Sequence, residues 1–149
     1  MAYARELFEE AYRASRRLSV VDAEIAAIDD AWRSGDWMQP SRSGRHSDST
    51  SARALNRMGR VKNLETERDG LLQVIREAQE LADGIEKLLG WSYAAALRYR
   101  YLDGMIWQDV ADMLEVCEST ARSRINVALD TIDGLGPANV REARGFAAE

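Results

Sequence analysis

The chain has 149 residues, 46% hydrophobic and 30% charged, with ten Gly, two Pro, one Cys and one His. Its 20 basic and 25 acidic side chains leave a net charge of −5, which taken whole is not the basic profile of a nucleic-acid binder. One Cys excludes an internal disulfide, and one Cys with one His excludes a structural zinc site. No apolar run approaches the roughly 18 residues needed to cross a bilayer. The opening residues Met1-Ala-Tyr-Ala-Arg-Glu are charged within six residues, so a signal peptide is not expected. The expectation is a cytoplasmic protein with no membrane partner and no cofactor, built as one domain or two small modules.

The charge is unevenly distributed. Residues 33–62 carry seven basic and two acidic side chains, whereas residues 91–133 carry four basic and seven acidic. In chain order, Leu7, Ala11, Ala14, Leu18, Val21, Ile25, Ile28 and Trp32 recur at alternating spacings of four and three. That is the period of a coiled-coil seam and predicts one long helix, which needs a partner to bury its stripe. Residues 34–50 are rich in Ser, Gly and Pro and predict a mobile loop. A second long helix is predicted from about Ser51 to Leu89, with its seam on Val61, Leu64, Leu71, Ile75, Ala78, Ala82, Ile85 and Leu89. Arg68 interrupts that seam, and Gly90 ends the helix. Matching seams around one loop suggest an antiparallel helical hairpin over residues 1–90, or an intermolecular coil using the same stripes.

From Trp91 the units shorten. Ser92 can cap a helix over Tyr93–Tyr101, Asp103-Gly104 marks a turn, and Trp107–Leu114 forms a second short helix. Glu115-Val116-Cys117 is a three-residue break before a third helix, Glu118–Ile132, which Gly134-Leu-Gly-Pro137 stops. Residues 134–149 carry little apolar content and are expected to be disordered. The fold class is therefore all-α: a long hairpin, then a helix-turn-helix domain over 91–133. Ala111 is small where the two helices cross, Val116 plugs the angle, and Ala121, Ile125, Ala128, Leu129 and Ile132 face the core. The opposite face of the third helix presents the candidate DNA contacts Glu118, Ser119, Thr120, Arg122, Ser123, Arg124 and Asn126. Arg suits guanine edges or phosphate, Asn suits adenine, and Glu118 can accept from a cytosine amino group.

The run Leu97-Arg-Tyr-Arg-Tyr-Leu-Asp-Gly-Met-Ile-Trp-Gln-Asp-Val-Ala-Asp-Met-Leu, followed by Ser119-Thr-Ala-Arg-Ser-Arg-Ile, resembles region 4 of sigma factors of the extracytoplasmic-function class. Thr120, Ser123 and Arg124 match the Thr-Val-Lys-Ser-Arg-Leu run of that class, with Ala121, Arg122 and Ile125 in place of Val, Lys and Leu. The likeness covers residues 92–132, under a third of the chain. With the helical hairpin before it, the architecture resembles the ArpU/RinA-like late-gene regulators of phages and prophages. That resemblance implies double-stranded DNA and host RNA polymerase as partners. Dimerisation through the seams would place two reading helices on one duplex at half-sites a helical turn or a multiple apart. Two positions depart from the sigma pattern: Glu115 stands where the turn usually has Gly, and Cys117 where a Ser or Thr cap is usual.

Other classes stay open on the sequence. A small-terminase-like DNA-packaging protein also joins a helix-turn-helix to an oligomerising hairpin, and an acidic helix-turn-helix could dock a polymerase or sigma surface without touching DNA. Because the module is acidic, Arg42, Arg45, Arg53, Arg57, Arg60 and Lys62 are candidate auxiliary phosphate contacts. No catalytic site is expected: Cys117, read as a small half-buried turn residue, has only His46 as a conceivable base, on a distant loop. Asp103, Asp109 and Asp112 read as solvated helix residues rather than metal ligands. Trp91 and Trp107 read as core anchors, Trp32 as the end of the seam, and Trp37 as a loop residue burying against the hairpin end.

Overall fold

A computed structural model describes residues 3–34 and 47–146. Among them every regular element is helical, so the chain is all-α: α1 (Tyr3–Ser34), α2 (Ser47–Leu89), α3 (Trp91–Leu97), α4 (Trp107–Leu114), α5 (Glu118–Leu135) and α6 (Pro137–Phe146). None of these helices is long and apolar enough to cross a membrane. The segment expected to be a loop is shorter than residues 34–50, since Ser34 ends α1 and α2 already starts at Ser47. Residues 35–46, including Trp37, Arg42, Arg45 and His46, lie outside the described residues.

Contacts divide the chain into two units, and the division does not fall at residue 90. One unit joins Met1–Arg16 to Leu71–Glu149, and the other is Arg17–Gly70. In the second unit Val21 and Leu64 are buried on the seams. Ion pairs join the two helices there: Arg17–Glu67 at 2.6 Å, Asp22–Arg68 at 3.1 Å and Glu24–Arg60 at 2.7 Å. Arg68, the interruption in the seam, is accommodated by its pairing with Asp22. The hydrogen bond from Arg17 holds the Glu67 carboxyl below its ordinary range. Such exposed pairs contribute little stability. Towards the end of α1 the seam opens, with Ile28 half-buried and Trp32 exposed.

In the first unit, Ala4, Leu7, Phe8 and Ala11 of α1 and Ala78, Leu81 and Ile85 of α2 join a single core with α3, α4 and α5. Phe8 is fully buried with its ring 5.6 Å from Tyr101. It lies one residue off the predicted stripe, which named Leu7. Ala111, Ala121, Ile125, Ala128, Leu129 and Ile132 are buried as the periodicity predicts. Ser92 does not cap α3: the helix begins two residues earlier than expected, at Trp91, and Gly90 occupies the cap position at φ 108°. Consequently Trp91 is 62% exposed rather than a core anchor. After Leu97 the helix widens into a π-helical turn, Arg98–Leu102, in which Asp103 N–H reaches the Arg98 carbonyl at 2.9 Å. Arg98 pairs there with Asp83 and Glu86.

The largest departure from expectation lies at the C-terminal end. Gly136, at φ 90°, breaks α5, and residues expected to be disordered form α6. Val140 of α6 is fully buried, and it reaches the core because Gly84 of α2 has no side chain. A Cβ built on Gly84 would lie 2.1 Å from the Val140 carbonyl oxygen and 2.6 Å from its Cγ1. A single apolar residue docking on a glycine leaves almost no periodic signal. Gly84→Ala should therefore destabilise the protein by about 1–3 kcal/mol through overpacking, although helix propensity alone favours Ala by about 1 kcal/mol. Urea denaturation decides between them, and a variant as stable as the parent would contradict the docking of α6.

Candidate nucleic-acid interface

The link between α4 and α5 is built by two backbone hydrogen bonds. Val116 N–H donates to the Ala111 carbonyl at 3.0 Å, and Glu115 N–H donates to the Asp112 carbonyl at 3.2 Å. With Glu115 at φ 57° and ψ 42°, this is a Schellman termination, the arrangement that ordinarily favours Gly. Glu115 thus takes the left-handed conformation with a side chain in place, rather than forcing a different turn. Val116 is half-buried and packs against the core, closing the angle between the helices. Cys117 then turns extended at φ −79° and ψ 162°, and Ala121 N–H donates to its carbonyl at 3.1 Å to start α5.

Cys117 is exposed, not half-buried as a packing residue would be. Its Sγ lies 3.2 Å from Ser119 Oγ and 3.1 Å from Thr120 Oγ1. Those two hydroxyls, with the Thr120 backbone, stabilise a thiolate and bring the thiol down to about 7. The N-terminus of α5 therefore favours negative charge by local donors, as such termini generally do.

Of the residues singled out on α5, Glu118, Ser119, Arg122, Ser123 and Asn126 are exposed on one side of the helix, and Thr120 and Arg124 are half-buried. Two of them are engaged inside the molecule. The Arg122 guanidinium lies over the Trp107 ring, 4.8 Å from its centroid. Asn126 Oδ1 accepts a 2.9 Å hydrogen bond from Arg5 Nη2 of α1. Arg5 thus takes one of the two lone pairs on Asn126 Oδ1, so two-bond pairing with adenine has to use the other or displace Arg5. Arg5 therefore joins the site, and nothing local in the sequence signals it; the partnership spans nearly the whole chain. Further along α5, Asp133 Oδ1 accepts the Ala4 N–H at 2.9 Å, satisfying a donor in the first turn of α1.

The auxiliary arginines are placed differently. Arg53, Arg57, Arg60 and Lys62 belong to the second unit, where Arg60 is paired with Glu24. Arg57 and Lys62 instead line an open apolar groove of about 710 Å³ with Ile28, Trp32, Leu55, Met58 and Val61. Among the described residues no group of His, Cys, Asp and Glu is arranged to hold a metal ion. Comparison with protein-family models, curated proteins and solved structures finds no match to this chain.

Glu115 carries strain that glycine would relieve. Glu115→Gly should raise stability by about 0.5–1 kcal/mol, the left-handed cost less the extra freedom of Gly in the unfolded chain. Thermal and urea melts of the two proteins measure it, and an unchanged or lowered stability would contradict the left-handed assignment.

Proposed function

We propose that the protein is a sequence-specific DNA-binding transcriptional regulator of phage or prophage type, in which α4 and α5 act as a helix-turn-helix. The observation that carries this reading is the Schellman-turned pair of helices, with Ser119, Arg122, Ser123 and Asn126 exposed together on the outer side of the second. That is the geometry in which the first turns of a reading helix enter a major groove, hydroxyl and amide groups meet base edges and a guanidinium meets the phosphate backbone. The resemblance of residues 92–132 to sigma region 4 supports the same assignment.

The two long helices are proposed as the hairpin of the second unit, and its groove as the surface through which copies pair. Leu55 is 67% and Met58 61% exposed there, beside Trp32. A symmetric dimer would present two copies of α5 to paired half-sites. A second reading, docking on a host polymerase surface, is favoured by the outer side of α4. There Ile106 and Met113 are exposed beside the carboxylates Asp109 and Asp112. The two roles are compatible, because they use different faces.

Electrophoretic mobility shift on fragments of the protein's own genomic neighbourhood, at low salt, tests the assignment. The full-length protein should shift at least one fragment. Ser123→Asp should weaken that binding by about ten-fold or more, equivalent to about 1.4 kcal/mol, with helicity by circular dichroism unchanged. No shift of any fragment at low salt would overturn the proposal.

A further inference from the structure

Two sets of arginines in this protein are held in chemically different ways. Arg17, Arg60, Arg68, Arg98 and Arg141 have carboxylate partners, so the edges of their guanidinium groups face fixed negative charge. Arg16, Arg100 and Arg122 are held another way. Arg122 and Arg100 each lie over the Trp107 ring, 4.8 Å from its centroid. Arg100 also lies 5.9 Å from the Tyr12 ring, and Arg16 lies 5.5 Å from that ring. The result is an alternating column, Arg122–Trp107–Arg100–Tyr12–Arg16, contributed by α5, α4, the π-helical turn and α1, all within one compact unit. Local bonds fix its members: Arg100 Nη1 donates to the Met105 carbonyl and Arg16 Nη1 donates to the Tyr12 hydroxyl, each at 2.9 Å. Among the described residues none of the three arginines forms a salt bridge with a carboxylate.

The distinction has a chemical consequence. A ring contact uses the face of the guanidinium and leaves most of its N–H edge free, whereas a carboxylate occupies the edge that a phosphate would take. Stacking also restricts a long, rotamer-rich side chain in advance, so less freedom is lost when an anion binds. We propose that this column is a phosphate-binding track: Arg16, Arg100 and Arg122 hold the DNA backbone beside the helix that reads the bases, with Tyr12 and Trp107 as positioning residues. The inference rests on the DNA-binding reading and names where the affinity of an acidic module originates. The track supplies it from within the same unit as α5, without the basic stretch of residues 33–62. Its contacts are to phosphate, so they carry no sequence preference.

The test is the salt dependence of binding to a mixed-sequence DNA duplex and to the fragment that shifts best, by fluorescence anisotropy. Each phosphate contact removed lowers the slope of log K against log salt by about one. Arg16→Gln and Arg122→Gln, both at exposed positions, should each lower it by about that much on the mixed-sequence duplex, and together by about two. Arg17→Gln, next in sequence to Arg16 but paired with Glu67, should leave the slope unchanged. Tyr12→Leu should weaken binding to both duplexes by the same factor, because it loosens Arg16 and Arg100 without removing a charge. If the parent binds and Arg16→Gln leaves the slope unchanged, the track is wrong while the DNA-binding assignment stands. If Arg17→Gln lowers the slope as much as Arg16→Gln, stacking confers nothing and the track is again wrong. If the parent binds no duplex, both fall together.

Discussion

The structure depends on one constraint: the helices after Gly90 share a single core with one end of each long helix. The stretch from Trp91 to Phe146 is of a size at which a core of its own is marginal, and here α1 and α2 complete it. Phe8 is fully buried against Tyr101, a burial that contributes on the order of 1.5–3 kcal/mol. Ala4, Leu7 and Ala11 line the same core beside it. The carboxylate of Asp133 accepts the Ala4 N–H, so the first turn of α1 and the last turns of α5 hold one another. Ala78, Leu81 and Ile85 close the core from α2, and the missing side chain of Gly84 admits α6. The orientation of α5 is thereby set by residues far away in sequence, and the same packing brings Arg5 and Arg16 onto the unit that carries it.

What could be read from the chain follows from the range of the forces involved. Periodicity is local, so both long helices, the buried stripe of α5 and the turn at 115–117 were visible in the residues. The conflict at Glu115 was visible too, because a left-handed residue with a side chain is a local problem. Long-range packing was not visible. The boundary expected at residue 90 dissolves because α1 and α2 each contribute to two units. Helix α6 escaped because one valine against one glycine makes no pattern. Trp91 suggested a core anchor by composition, yet the cap at Gly90 starts the helix with its ring outward. The column of rings and guanidiniums joins positions 12, 16, 100, 107 and 122; helical spacing links only 12 to 16, and no spacing rule brings in the other three.

The net charge of −5 also takes on a more exact meaning. A sum over side chains treats every arginine alike, but an arginine facing a carboxylate and one stacked on tryptophan differ in what they can offer a third group. Arg17, Arg60, Arg68, Arg98 and Arg141 are largely committed to the fold. The stacked arginines are positioned by the fold without being neutralised by it. On those terms a negative net charge does not by itself exclude an anionic partner.

The central claim, that the first turns of α5 meet DNA, can be tested with a probe the chain already contains. Cys117 is the only cysteine, it is exposed at the start of α5, and its thiol is brought to about 7, so it is largely thiolate in mildly alkaline buffer. The measurement is its rate of alkylation by iodoacetamide with and without a saturating duplex that the protein shifts. DNA seated on α5 covers the thiol and adds negative charge beside it, so the account predicts a several-fold slower reaction in the complex. An unchanged rate on a duplex shown to be fully bound would place the DNA elsewhere and contradict the account.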